Sequence, residues 1–265
     1  MRQTVKVDGV GEAESAMPLP DPGAAMIEEL LPAPHAVAEA FGDPPDPWPL
    51  FAEEERCVAG AVPGRRREFA TTRACARTAL ARLGETPGPI PRGSRGAPVW
   101  PGSTVGSMTH CAGYRAAVVA RSDAVLTVGL DAEPNRPLRD EGVLGMISGR
   151  QERAHLAALA VPHPEVCWDR LLFSAKESVY KAWYPLTGSW LGFEDVTVTF
   201  DARARTFAAD LARPALLVEG LRVTGFRGRW AVRRGLLLTA VSVPRTSPDL
   251  HRPRTGAPVP QQLFP

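Results

Sequence analysis

The sequence predicts an α+β protein. In each half of the chain, a long stretch with the apolar spacing of an amphipathic helix is followed by stretches that read as paired β-strands. Helices and strands grouped in this way are typical of the α+β class. Because the same order occurs twice, the pattern favours two similar lobes, although the halves share too little sequence to be counted as a repeat.

The N-terminal half is predicted to begin with a flexible tail. Residues 1–25 are rich in Gly, Pro, Ala and Glu and show no periodicity. The folded body is expected to start near Met26, and the sequence leaves open whether translation starts there. The segments that follow are an extended stretch at 42–49, helices at 53–62 and 65–83, a Pro/Gly-rich loop at 85–106, and a β-hairpin of strands 115–120 and 125–131.

The C-terminal half repeats this order of elements. Helices are predicted at 144–160 and 168–183, and strands at 195–200, 216–224, 228–233 and 236–243. The residues from Arg245 onward are again rich in proline and are expected to be disordered. The predicted division is therefore a tail at 1–25, lobes at 26–133 and 134–244, and a second tail at 245–265.

Composition restricts the class of protein. The 265 residues are 44% apolar and 23% charged, which is ordinary for a folded domain, and the net charge of +2 gives no support for nucleic-acid binding. No apolar run is long enough to cross a bilayer, and the N-terminus lacks the apolar core of a secretory signal. The four cysteines are scattered and lack metal-ligand spacing, so we expect reduced thiols in the cytoplasm.

The stretch 168–183 organises the chain. Its apolar residues fall at helical spacing and should form one buried stripe: Trp168, Leu171, Leu172, Ala175, Val179, Ala182 and Trp183. Glu177 and Lys181 are four residues apart, so they project from one face of the helix. Taken alone, this pair is best interpreted as a surface ion pair, since such pairs are common and weak.

A second group of acids lies in the strand that ends near residue 133. Val128 and Leu130 alternate with Gly129, Asp131 and Glu133, so the two carboxylates should share one strand face. Paired carboxylates suit magnesium, and Glu177 would supply a third ligand if the central helix packs beside this strand. Asp131 is then expected to be exposed in a cleft. The alternative is a solvated strand end.

Two further groups suit phosphate binding. Residues 106–114 place Ser107, Thr109 and His110 between glycines, and small hydroxyls beside permissive backbone suit an anion. Arginine side chains bind phosphates through paired hydrogen bonds. The second group of candidates is therefore Arg65, Arg66, Arg67, Arg73, Arg92 and Arg95. The alternatives are a turn with its histidine bonded to a carbonyl, and a solvated helix face.

Taken together, these segments resemble a known family. The ordered set RRREFATTRACAR, PIPRGSRGAPVWP, VGSMTHCAGY, VGLDAE and FSAKESVYKAWYPLT is similar to the 4′-phosphopantetheinyl transferases of the surfactin-synthetase activator type. The branch in question contains the enterobactin enzyme and the mycobacterial pantetheinyl transferase. The resemblance covers about Pro49 to Val243, and its most specific feature is the pairing of GLDAE with KES-x-x-K.

The resemblance implies a fold and an activity. The fold is two similar α+β lobes in one chain with the active site between them. The activity is magnesium-dependent transfer of the phosphopantetheine arm of coenzyme A to a serine of an apo acyl or peptidyl carrier protein, with release of adenosine 3′,5′-bisphosphate. A cytoplasmic monomer that uses neither nucleic acid nor membrane is also implied.

Residue roles follow from the same resemblance. Asp131, Glu133 and Glu177 match the magnesium ligands, Glu177 also matches the general base, and Lys181 matches the lysine that stabilises the departing phosphate. The positions that match contacts with coenzyme A are Arg65, Arg73, Arg92, Ser107, Thr109 and His110. Arg92 stands where a close relative would have lysine, and Arg95 is expected to share its role.

Partner docking and the reaction class remain open at this stage. The segment Pro134 to Gly149 is either a docking region for the carrier protein or part of the core. The residues that would contact the carrier protein are Leu138, Arg139, Leu144, Met146 and Ile147. A metal-dependent phosphodiester or pyrophosphate hydrolase and a non-catalytic nucleotide-binding module are the alternative functions. The sequence disfavours the binding module, because three carboxylates would repel phosphates without a metal.

Overall fold

The structure is a computed structural model that describes residues 25–31, 34–212, 216–219 and 221–246. Apart from Ala25, Arg245 and Thr246, both predicted tails lie outside the described residues. The described residues form a mixture of helices and antiparallel sheets, which confirms the α+β prediction. None of the helices described is long and apolar enough to span a bilayer.

In the part of the N-terminal half that the structure describes there are two α-helices and four strands. After a 3-10 turn at Met26–Leu30 the elements are β1 (His35–Phe41), α1 (Ala52–Val58), α2 (Pro63–Arg82), β2 (Thr104–Cys111), β3 (Tyr114–Arg121) and β4 (Val125–Pro134). The C-terminal half contains three helices and six strands in its described residues. They are α3 (Glu141–Ile147), α4 (Arg150–Ala160), α5 (Trp168–Thr187), β5 (Val196–Asp201), β6 (Thr206–Leu211), β7 (Leu216–Val218), β8 (Leu221–Val223), β9 (Gly225–Arg233) and β10 (Leu236–Pro244).

Two sheets form the body of the protein, and each packs against one long helix. The first has the strand order β1-β3-β2 and packs against α2 through small side chains such as Cys75, Ala79 and Ala117. The second has the order β4-β10-β9-β6-β5 and packs against α5. A third core, which includes Tyr114 and Leu130, joins the two sheets.

The predicted hairpin of residues 115–120 and 125–131 is wrong. β3 pairs with β1 on one edge and with β2 on the other, so it has no free edge for β4. β4 instead pairs with β10 in the second sheet, with Asp131 opposite Thr239. The turn between β3 and β4 reverses the chain, but a reversal alone does not decide which strands pair. β4 therefore belongs to the sheet of the C-terminal strands, although the sequence placed it in the N-terminal lobe.

Other differences arise where local signals are weak. The sequence did not predict β1, β2 or β6, and the predicted strand at 216–224 is divided between β7 and β8. The predicted helix at 144–160 is two helices, because Ser148 adopts an extended backbone and Gly149 begins a new helix whose Glu152 accepts the Gly149 N–H at 2.8 Å.

The helix predicted at 168–183 is confirmed as α5. All seven residues of its predicted stripe are buried. The helix runs four residues beyond the prediction, to Thr187, and ends at Gly188, which has a φ of 62° and so adopts the left-handed conformation that glycine tolerates.

Gly129 explains how closely α5 approaches β4. A Cβ at this position would overlap the carbonyl group of Ser178 on α5. The Thr127 hydroxyl donates to the Ala182 carbonyl of the same helix at 2.7 Å. The missing side chain at Gly129 therefore allows backbone-to-backbone packing, which brings the acids of β4 beside the Glu177 face of α5.

Replacing Gly129 by alanine is expected to lower the free energy of unfolding by about 1–3 kcal/mol, because backbone on both sides would have to shift. Urea denaturation of the purified variant measures this effect. Gly145→Ala is the matched control, since nothing lies within 4 Å of the added Cβ in that exposed helical position. A loss no greater for Gly129→Ala than for Gly145→Ala would contradict the close packing.

Candidate active site

A cavity of about 490 Å³ lies between the two halves of the protein. Its walls come from α2, the loop before β2, β2 itself, β4 and α5. Of the residues predicted to form the site, those that line the cavity are Arg65, Arg73, Arg92, Ser107, His110, Glu177 and Lys181. Thr109, Asp131 and Glu133 do not line the cavity. Asp131 contacts the lining residue Lys181 and accepts a hydrogen bond from Thr109, and Glu133 interacts with Asp131 and Lys181 through its charge.

Two hydroxyl groups tie the first sheet to the second. The Ser107 hydroxyl accepts a hydrogen bond from the Leu130 N–H, and the Thr109 hydroxyl accepts one from the Ala132 N–H, both at 3.0 Å. Thr109, which is 2% exposed, also donates to Oδ1 of Asp131 at 3.3 Å. These bonds satisfy the edge of β4 that faces away from β10 and fix β2 relative to the acids of β4.

Asp131 is buried, which corrects the expectation that it is exposed in a cleft. Only 5% of the residue is exposed, because α5 covers this end of β4. Its Oδ1 lies 2.8 Å from Nζ of Lys181, which also donates to the Leu130 carbonyl at 3.0 Å. Its Oδ2 is buried and has no hydrogen-bond partner among the described residues. This second oxygen is therefore available to a cation.

The negative charge of Asp131 acts on both Glu133 and Glu177. Burial, and after it the charge of Asp131, raise the pKa of both glutamates. Arg170 opposes this effect at Glu133, whose Oε2 it contacts at 3.1 Å, and Lys181 opposes it at Glu177. Among the described residues, no three His, Cys, Asp or Glu side chains converge closely enough to hold a metal as they stand. The acids form an electrostatically coupled group that Lys181 and Arg170 partly neutralise.

The cavity has a basic wall built around Phe69. The guanidinium carbons of Arg73 and Arg92 lie 4.1 and 5.1 Å from the centroid of this ring. Arg73 is largely buried, and its Nε donates to the Ile90 carbonyl at 2.8 Å. Burial lowers the pKa of Arg73 to about 10, so it remains positively charged at neutral pH. The loop and helix thereby present two cations to the cavity.

His110 is held by charged partners on α2. Its Nδ1 lies 3.0 Å from Oε1 of Glu68, and its Nε2 lies 3.0 Å from Nη1 of Arg65. Arg65 also pairs with Glu68. The alternative of a histidine bonded to a neighbouring carbonyl is not what the structure shows. Sequence analysis missed Glu68, and the only signal for it was its position one helical turn from Arg65.

The aromatic residues of α5 that line the cavity were also not predicted from the sequence. Tyr180 and Tyr184 line the cavity on α5, and the Tyr180 ring packs on Trp190 with centroids 5.2 Å apart. Arg95 extends from the loop before β2 to within 6.0 Å of the Trp190 ring, and its own backbone has a φ of 51°. Trp190 is 57% exposed. The cavity lining therefore combines charged side chains with the aromatic rings of Tyr180 and Tyr184.

Lys176 precedes Glu177 but has a different environment. Its Nζ donates to the carbonyls of Ile147 and Phe193 at 2.7 and 2.9 Å and lies 2.9 Å from Oε1 of Glu152. Burial lowers its pKa, an effect that the bond to Glu152 opposes. Lys176 thus joins α3, α4 and the segment before β5, and it supports the helix that carries Glu177.

The region proposed for partner docking divides into core and surface. Ile147 is buried, while Leu138 and Leu144 are half-buried against the core around α5. Met146 is 71% exposed and Arg139 is also exposed. The two exposed residues are the ones that a partner could contact.

Sequence comparison matches most of the chain to one family. Residues 53–120 match the profile of the 4′-phosphopantetheinyl transferase N-terminal domain. Residues 127–231 match the profile of the 4′-phosphopantetheinyl transferase superfamily. Together the two profiles span every wall of the cavity.

Individual relatives agree with the profiles. The chain is 55% identical over 220 residues to 4′-phosphopantetheinyl transferase Svp of Streptomyces mobaraensis, covering 82% of this chain and 89% of that protein. It is 48% identical over 224 residues to 4′-phosphopantetheinyl transferase PptT of Mycobacterium tuberculosis, covering 82% and 94%. It is 44% identical over 225 residues to 4′-phosphopantetheinyl transferase Npt of Nocardia iowensis, covering 82% and 99%.

Proposed function

Because the chain belongs to the 4′-phosphopantetheinyl transferase superfamily, we infer that it transfers the 4′-phosphopantetheine arm of coenzyme A to a serine of apo carrier proteins. Adenosine 3′,5′-bisphosphate is the product that leaves. The observation that carries this conclusion is identity of 44–55% to three such transferases over most of the chain. The cavity supports it, since it unites basic residues of the N-terminal half with Glu177 and Lys181 of α5.

We propose magnesium as the cofactor, bound by the acids beside the cavity together with substrate oxygens. Asp131, Glu133 and Glu177 offer hard oxygen ligands, which magnesium takes together with phosphate oxygens. The fit rests on the buried, unpartnered Oδ2 of Asp131 and on the raised pKa values of both glutamates, because a cation would relieve this repulsion. When bound, magnesium would neutralise charge on the pyrophosphate of coenzyme A.

The side chains of the protein supply the remaining steps. Glu177 accepts the proton of the carrier serine hydroxyl, directly or through a water, because a neutral hydroxyl is a weak nucleophile. Lys181 stabilises the negative charge that grows on the departing phosphate. The residues assigned to the phosphates and nucleotide of coenzyme A are Arg65, Arg73, Arg92, Ser107 and His110, with Arg95 beside Arg92. Thr109 is buried and bonded to β4, so its proposed role is to hold Asp131 rather than to contact coenzyme A.

The arrangement of elements supports two lobes around this site. α2 with the three-stranded sheet would form the N-terminal lobe, and α5 with the five-stranded sheet would form the other. We place the division between residues 121 and 125 rather than at 133, because β4 pairs with β10. The enzyme is proposed to act as a cytoplasmic monomer without nucleic acid or membrane, in keeping with its four free cysteines.

The partners are proposed to be acyl or peptidyl carrier proteins that dock beside the cavity. Carrier domains are acidic around their serine, so a surface with both a cation and an apolar side chain would suit them. Arg139 and Met146, in the segment Pro134 to Gly149, are both exposed and supply this chemistry.

Replacing Arg92 by alanine is expected to raise the Michaelis constant for coenzyme A about tenfold, because one charge-assisted phosphate contact is lost. The Michaelis constant for the carrier protein should change less than about twofold. Steady-state kinetics with each substrate varied in turn measures both constants. Arg92 is exposed, so folding should be unaffected, and Arg67→Ala on α2 is the matched control because Arg67 does not line the cavity. Equal Michaelis constants for coenzyme A in the two variants would show that Arg92 does not bind this substrate.

Release of adenosine 3′,5′-bisphosphate separates this function from its alternatives. Transfer predicts that the nucleotide forms from coenzyme A only when apo carrier protein is present, and that chelation of divalent cations stops its formation. A metal-dependent pyrophosphate hydrolase would cleave coenzyme A without the carrier, and a nucleotide-binding module would release nothing. Chromatography of the reaction mixtures, with and without chelator, distinguishes these outcomes.

A further inference from the structure

Arg65, Glu68 and His110 form a closed ring of hydrogen bonds at the edge of the cavity. A carboxylate only accepts hydrogen bonds, so Nδ1 of His110, 3.0 Å from Glu68, carries a proton. A guanidinium only donates, so Nε2 of His110, 3.0 Å from Arg65, presents its lone pair. Arg65 closes the ring by pairing with Glu68. The ring therefore holds a neutral imidazole in one tautomer, and its net charge is zero.

We propose that Glu68 is a positioning residue that makes His110 take up a proton when a phosphate of the nucleotide substrate enters the cavity. The identity of the ligand rests on the proposed function, whereas the ring itself does not. In this step Arg65 leaves Nε2 and donates to the phosphate. A proton from solvent binds Nε2, which then also donates to the phosphate, and Glu68 keeps its bond to Nδ1–H. The N–H bond forms as water or a buffer acid gives up the proton, and no other covalent bond changes.

The surroundings of His110 explain why the proton is absent before binding. Partial burial at the cavity edge, which leaves 39% of the side chain exposed, lowers the pKa of His110, and the cations Arg65 on α2, Lys181 on α5 and Arg115 on β3 lower it further. Glu68 acts in the opposite direction. Since a free imidazole has a pKa of about 6.5, His110 is neutral at pH 7.5 in the unliganded protein. A phosphate dianion changes the sign of the local field, and Glu68 then stabilises the imidazolium from its other side.

Titration calorimetry with adenosine 3′,5′-bisphosphate at pH 7.5, in buffers of different ionisation enthalpy, measures the protons taken up. We expect about one proton per nucleotide for the parent protein, because a phosphomonoester has its second pKa near 6 and contributes little at this pH. Glu68→Gln should lower this uptake and weaken binding about tenfold, since the charged partner of the imidazolium is lost. His110→Asn should abolish the uptake.

The matched control is Glu55→Gln, because Glu55 forms a similar ion pair with Arg66 at 2.5 Å away from the cavity lining. It should bind the nucleotide as the parent does, and thermal melts should show all variants folded. Nucleotide binding without proton uptake, or equal uptake in the parent and Glu68→Gln, would overturn the role of Glu68. Failure of the parent to bind the nucleotide at all would contradict the proposed function instead.

A second ligand identifies the phosphate that is recognised. 3′-Dephospho-coenzyme A keeps the pyrophosphate and lacks the 3′-phosphate. Proton uptake with adenosine 3′,5′-bisphosphate but not with 3′-dephospho-coenzyme A assigns the ring to the 3′-phosphate. Uptake with each of the two ligands assigns the ring to the phosphates attached at the 5′ position. Both results support the role of Glu68.

Discussion

Replacing Glu177 by glutamine is expected to lower the turnover number by about 10²–10⁴-fold, which is the usual contribution of a positioned general base. Glutamine has the size and much of the hydrogen bonding of glutamate, but it neither accepts the serine proton nor binds magnesium well. Glu177 lines the cavity one helical turn from Lys181, so we expect the loss in the chemical step rather than in substrate binding. Turnover at saturating substrates is the measurement.

The same substitution should not destabilise the protein. Burial and the charge of Asp131 raise the pKa of Glu177, so the folded state binds this proton more tightly than the unfolded chain does. The ionised group therefore disfavours folding as the pH rises through its folded pKa. Glu177→Gln removes that cost, and its melting temperature at neutral pH without magnesium should equal or exceed that of the parent. Activity retained near the parent level in a well-folded variant would show that Glu177 is not the general base.

Glu165→Gln is the matched control for this substitution. Glu165 is largely exposed, pairs only loosely with His163 at 3.5 Å, and does not line the cavity. The same chemical change there should leave turnover within about twofold of the parent, because surface ion pairs contribute little. A comparable loss in both variants would point to a general effect of removing acids rather than to a base at Glu177.

Asp131→Asn is expected to reduce turnover by on the order of 10³-fold, because a metal ligand supplies several kcal/mol of charge stabilisation in the transition state. Asparagine rather than alanine is the informative replacement, because Asp131 is buried and its Oδ1 accepts bonds from Lys181 and Thr109. Asparagine keeps one oxygen for those bonds, but it is neutral and replaces the unpartnered Oδ2 with an NH₂ group, which does not bind a cation.

Binding of Mn²⁺, followed by electron paramagnetic resonance without substrates, separates this interpretation from a structural one. The parent should bind the ion, and Asp131→Asn should bind it far more weakly while its thermal melt shows a folded protein. Equal Mn²⁺ binding by both proteins would place the metal elsewhere and remove Asp131 from the ligand set.

Local periodicity explains which parts of the fold the sequence could predict. The stripe from Trp168 to Trp183 is set by contacts of one helix with one core, so its apolar spacing was sufficient. The alternation of Gly129, Asp131 and Glu133 likewise predicted a shared strand face, and the contacts of Gly129 with Ser178 and of Asp131 with Lys181 place α5 against that face.

Long-range pairing explains what the sequence did not predict. β3 and β4 are adjacent in the chain, yet their partners are β1, β2 and β10, and no local signal distinguishes that pairing from a hairpin. The contact of His110 with Glu68 depends on the same three-stranded sheet lying against α2, so it too could not be read from spacing. The burial of Asp131 follows from α5 covering β4, and it was missed because strand alternation identifies a face but not what packs on it.

The most direct test of transfer is the intact mass of an apo carrier protein after incubation with this enzyme, magnesium and coenzyme A. We expect a mass gain equal to one phosphopantetheine group. We expect no gain when the carrier serine is replaced by alanine and no gain with Glu177→Gln over the same period. An unchanged carrier mass with the parent enzyme, under conditions in which a known transferase modifies the same carrier completely, would contradict the proposed transfer.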